Sequence, residues 1–182
     1  MAGKNAKPPP LPIETFERVV RVSRLDGKML AIIATTFAVM AALSHNAPPA
    51  IAGVIAAGLG LLEMNGSDRL QNGDPKGLDA MIMAQVGLLA TVFTYAGWML
   101  LNFDPTAFVN HLPPSEREIF EESLRLTLDE GGYADVDLPT VYRGFNTLVY
   151  LVVAAVTLVF QGMMIRFYHR SRSAIDKVVY GG

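Results

Sequence analysis

Four long apolar runs divide the chain, and polar clusters separate them. The first run, MLAIIATTFAVMAALSH at residues 29–45, contains no acid, lysine or arginine. A spanning helix needs about 20 apolar residues, so this span must begin slightly earlier, at about residue 27, and end near 45. The second is predicted at about 49–72, the third at about 76–102 and the fourth at about 144–168. The predicted fold is an all-α integral membrane protein with four transmembrane helices. An N-terminal amphipathic helix precedes them. A small extracytoplasmic helical segment lies between the third and fourth spans.

The intervening pieces follow from local chemistry. Residues 1–12 are a flexible Pro-rich tail. Over 13–27, Ile13, Phe16 and Val20 recur near helical spacing among Glu14, Glu17, Arg18, Arg21 and Arg24, which predicts an amphipathic helix, either at the membrane surface or packed on a partner or frayed. Residues 28–102 form a three-span unit. Residues 103–143 form an acidic helical segment, with a capping box at Ser115 and Glu118 and an apolar stripe of Phe120, Leu124 and Leu128. Residues 144–182 hold the fourth span and a basic tail.

Small residues mark two helix faces. Ala34, Ala38 and Ala42 repeat every four positions, as do Ala52, Ala56 and Gly60, with Gly53 and Ala57 beside them. Such ridges let helices approach closely, and the short turn at Asn46-Ala47-Pro48-Pro49 predicts an antiparallel hairpin. At Asn72-Gly73-Asp74-Pro75, glycine suits a left-handed helix end, aspartate a cap and proline the first turn of the next helix. The second helix is therefore expected to continue past Glu63 to Asn72.

Composition and charge support a membrane setting. The 182 residues are 51% hydrophobic and 18% charged, against roughly 25% charged in soluble domains. Twelve of the 15 lysines and arginines fall on the side that four spans assign to both termini. By the positive-inside rule that side is the cytoplasm, and the membrane expected is a bacterial plasma (inner) membrane. The leader carries Glu14, Glu17 and Asp26, which fits a signal peptide poorly. The net charge of −2 gives no field for nucleic acid, and the absence of cysteine excludes thiolate chemistry and disulfides.

Candidate chemistry is confined to one layer. If the second hairpin centres on Gly73-Asp74, residues whose numbers sum to about 147 share a height. Glu63 is then level with Gln85, and Arg69 with Asp79 as an ion pair at the cytoplasmic edge. Counting inward along the other spans brings Thr35 or Thr36, and Gln161, to the depth of Glu63. The layer Thr35, Glu63, Gln85 and Gln161 has three readings: a hydrogen-bonded clamp, an interfacial acid, or an ion or proton site. No second acid is expected within a span. No nucleotide, hydrolase or metalloprotease motif is present. His45, His111 and Asp104 make a weak case for a metal, so no cofactor is expected. The expected function is a non-catalytic membrane subunit or scaffold, with the bilayer and other membrane subunits or further copies as partners. The alternative is a small homo-oligomeric ion or proton channel or transporter built on Glu63.

Overall fold

A computed structural model describes residues 11–105, 113, 115, 118–119, 122–123, 125–126 and 138–181. Four long helices dominate: α1 (Pro12–Leu43), α2 (Ala47–Gln71), α3 (Lys76–Asn102) and α4 (Leu138–Tyr180). Each is long and apolar enough to cross a membrane. Most of the expected segment at 103–143, including Phe120, Leu124, Leu128 and His111, lies outside the described residues, as do residues 1–10.

Two helices are longer than the apolar pattern implies. The surface helix expected at 13–27 is the first half of α1, with no break before the span. At 1.5 Å per residue, α1 is about 48 Å long and α4 about 65 Å. Pro12 sits in the first turn of α1, and the Leu11 amide donates to Glu14 Oε2 at 3.1 Å. No proline interrupts either helix interior, so nothing forces a stop at residue 27 or at residue 168. The apolar stripe Phe16-Val19-Val20 continues through Ser23 and Gly27 to Ala34 and Ala38, giving α1 one buried face from end to end. The end of α4, expected as a tail, is held by buried Ser171 and Ile175.

The chain forms two compact units. The first comprises Met1–Tyr95 and Thr157–Gly182. Its core is Val19, Val20, Leu70, Leu78, Met81, Tyr168 and Ile175, drawn from all four helices. Two close seams organise it. A methyl group on Gly60 would lie 2.7 Å from the Gly27 carbonyl, and Gly53 rests equally tightly on Ala34 and Ala38. On the other side of α2, a methyl on Gly66 would lie 2.7 Å from the Gly77 carbonyl. The second unit is Ala96–Val156, in which Leu148, Leu151, Val152 and Val156 are exposed.

Both short turns use one device. After α2, Gly73 takes a left-handed φ of 81°, its amide bonds to the Leu70 carbonyl, and the Asp74 amide bonds to that of Arg69 at 3.0 Å. After α1, the same pair of bonds joins His45 to Ala42 and Asn46 to Ala41, with His45 at φ 52°. These are Schellman closures, which satisfy carbonyls left open at a helix end. Asp74 then accepts the Lys76 amide at 3.0 Å, starting α3. Arg69 donates to the same carboxylate and, with the Lys76 amide, holds Asp74 below the usual carboxylate range.

Candidate functional site: a four-helix polar cluster

Each helix of the first unit contributes one polar group to a single cluster. Glu63 of α2 is fully buried, and its Oε1 accepts two hydrogen bonds. One comes from Gln85 Nε2 on α3 at 2.7 Å, the other from the Tyr168 hydroxyl on α4 at 2.5 Å. The same Gln85 nitrogen donates to Asp26 Oδ2 on α1 at 3.1 Å. Gln85 and Tyr168 are fully buried as well. Ser67, one turn along α2, donates to the Val20 carbonyl of α1 at 3.1 Å.

Helical spacing explains the convergence. The buried face of α2 runs Gly53, Gly60, Glu63, Gly66, Ser67 and Leu70, so Glu63 stands in a row of small residues. The glycines let α1 and α3 close on α2, and Glu63 fills the space between them. On α4, Gln161, Tyr168, Ser171 and Ile175 share the buried face. On α1, Ser23 and Asp26 lie one turn apart.

The structure brings Glu63 and Gln85 together and leaves Thr35 apart. Thr35 is exposed, between buried Ala34 and the next turn. Counting inward from the edge of the apolar run takes that edge as the start of the helix, but α1 begins at Pro12, and Gly27 is the residue that meets Gly60. The level of Glu63 on α1 is therefore that of Ser23 to Gly27, and an acid, Asp26, stands there. The expectation of a single acid is corrected accordingly. Gln161 is buried on α4, seven residues or about 10 Å from Tyr168, and its amide oxygen has no hydrogen-bond partner.

Arg69 and Asp79 do not pair with each other. Arg69 bonds Asp74 at 2.5 Å, and Asp79 bonds Arg172 of α4. Equal height does not set direction. Six residues turn a helix by about 600°, so Arg69 and Asp79 point well away from the seam that Glu63 and Gln85 share. A third exposed pair, Arg24 with Asp68, joins α1 to α2, and Arg24 also donates to Gln71 at 2.8 Å. Such exposed pairs contribute about 0–1 kcal/mol each.

Asp26, Tyr168 and Ser23 are the residues that the apolar pattern missed. Asp26 falls in the stretch expected as a surface helix, and Tyr168 at the last position of the fourth apolar run. The available signal was the unbroken stripe from Val19 through Ser23 and Gly27 to Ala34, which places Asp26 inside one long helix.

Among the described residues, four buried side-chain oxygens have no hydrogen-bond partner: Ser23 Oγ, Glu63 Oε2, Gln85 Oε1 and Gln161 Oε1. Among the described residues no group of three or more metal-ligating side chains is found. Comparison with protein-family models, curated proteins and solved structures finds no match to the chain.

Proposed function

We propose that the protein is a non-catalytic integral membrane protein, a subunit or scaffold of a larger membrane assembly. In this reading it lies in a bacterial plasma membrane with both termini cytoplasmic. The positive-charge bias supports that orientation. The first part of α1, with Arg18, Arg21 and Arg24, then lies near lipid headgroups.

The observation that carries the proposal is the set of helical glycines with open space above them. At Gly58 of α2 and Gly162 of α4, no atom beyond the local helix backbone lies within 4 Å of where a Cβ would stand. Glycine inside a helix costs about 1 kcal/mol relative to alanine. At Gly27, Gly60 and Gly66 a close helix contact offsets that cost within the chain. At Gly58, flanked by exposed Val54, Ile55, Leu61 and Leu62, the contact that does so is a helix of another subunit or copy. Mass measurement in mild detergent or lipid nanodiscs tests this. An assembly larger than one chain, reduced by Gly58→Leu, is expected; a stable monomer with no co-purifying partner overturns it.

A second reading is a homo-oligomeric ion or proton channel or transporter. Buried Glu63 favours it, since a carboxylate inside a span often marks an ion path. Glu63→Gln would then alter ion or proton flux in liposomes, and absence of flux from the unaltered protein under any gradient would sink it.

A further inference from the structure

We infer that Glu63 and Asp26, bridged by Gln85, bind one positive charge between the helices: a proton or a sodium ion. The inference is independent of the assembly reading and requires no flux.

Two acids from different helices are held by one amide nitrogen, at 2.7 and 3.1 Å, so the accepting oxygens are no more than about 6 Å apart. Among the described residues no lysine, arginine or histidine bonds either acid. Four arginines of the unit are engaged elsewhere. Arg24 is on Asp68, Arg69 on Asp74 and Arg172 on Asp79, and Arg18 lies 5.8 Å from the Phe167 ring centroid. Glu63 is fully buried and Asp26 partly so, and like charges at this separation repel because water screens the buried one poorly. One added positive charge removes most of that repulsion.

The inventory of donors and acceptors points the same way. The Gln85 amide has two hydrogens, and one goes to each acid. The Tyr168 hydroxyl donates its hydrogen to Glu63. These two donors are thus fully used, while Glu63 Oε2 and Gln85 Oε1, which can only accept, stay buried without partners; the Ser23 hydroxyl can donate one hydrogen or accept one. The surplus is of oxygen acceptors, and a proton or a hard cation is what surplus oxygens accept. Nitrogen and sulfur ligands are absent from the cluster, which disfavours a transition metal. Two carboxylates are few for calcium, which takes 6–8 oxygens. A single charge is the fitting load. The facing titratable groups are Asp26 from α1 and Tyr168 from α4, while α3 presents neutral Gln85. Because four helices each supply one group, occupancy of the site acts directly on how they pack.

The test uses the full chain in nanodiscs, with infrared difference spectra and thermal melts from about pH 5 to about pH 9. A protonated-carboxyl band that titrates in this range and disappears in Glu63→Gln identifies the proton. A melting temperature raised by sodium chloride but not by equal choline chloride, with the rise lost in Glu63→Gln, identifies sodium. Asp26→Asn is expected to abolish the same signal and serves if Glu63→Gln does not fold. Two ionised carboxylates throughout the range, with no sodium-specific shift, overturn the inference. The mass of the same sample reports separately on assembly.

Discussion

The two halves of α2 share one helix and play opposite parts. From Ala47 to Leu59 its long side chains Ile51, Val54 and Ile55 are exposed, and Gly53 rests on Ala34 and Ala38 of α1. From Gly60 to Leu70 it meets all three other helices: Gly60 on Gly27, Glu63 on Gln85 and Tyr168, Gly66 on Gly77, and Ser67 on Val20. The positions that pack are glycines, an acid and a hydroxyl. The positions that stay exposed are isoleucine, valine and leucine, most of them in the first half. In a water-soluble bundle the arrangement would be the reverse. Lipid tails solvate isoleucine as well as protein does, so helix association rests on close backbone approach and on hydrogen bonds.

The comparison is most sharply broken at Glu63. Glu63→Ala leaves the Tyr168 hydroxyl and one Gln85 hydrogen buried and unpaired, and is expected to destabilise the unit by about 3 kcal/mol. Denaturant unfolding in detergent, followed by tryptophan or circular-dichroism signal, measures it. A loss under a third of that would mean the cluster holds little of the packing. Gly66→Val comes next. Its branched side chain meets the Gly77 carbonyl and must spread α2 from α3, at about 2 kcal/mol in the same assay. In the open half the expected effect nearly vanishes. Val54→Ala removes a side chain exposed in the single chain and, in detergent that keeps the chain monomeric, should change stability by less than about 0.5 kcal/mol. A loss as large as that of Gly66→Val in the monomer would show that Val54 packs within the chain, whereas a loss confined to the assembled protein fits a partner helix on the Gly58 face.

Much of the architecture is legible in the residues alone. The apolar runs identify four spans, and Asn72-Gly73-Asp74-Pro75 identifies a turn because only glycine takes φ 81° without strain. The turn after α1 is harder to read, since His45 occupies the corresponding position at φ 52°. Hydropathy also stops at charged residues, whereas a helix stops at broken backbone. Asp26 is hidden for that reason, since it lies before the edge of an apolar run but inside an unbroken helix, and Tyr168 stands at the last position of its run, with the helix continuing beyond it.

The sequence by itself determined heights, and the tertiary structure decided directions. Each residue of a helix rises 1.5 Å, so counting from Gly73 levels Glu63 with Gln85. Direction depends on the face each helix turns to its neighbours, and that follows from which glycines let the backbones touch. Gly66 against Gly77 points Glu63 and Gln85 at each other and leaves Arg69 to Asp74 and Asp79 to Arg172. Gly27 against Gly60 slides α1 until Asp26, and not Thr35, stands beside Gln85. Those contacts join residues far apart in the chain, and no local pattern around any one of them specifies its partner.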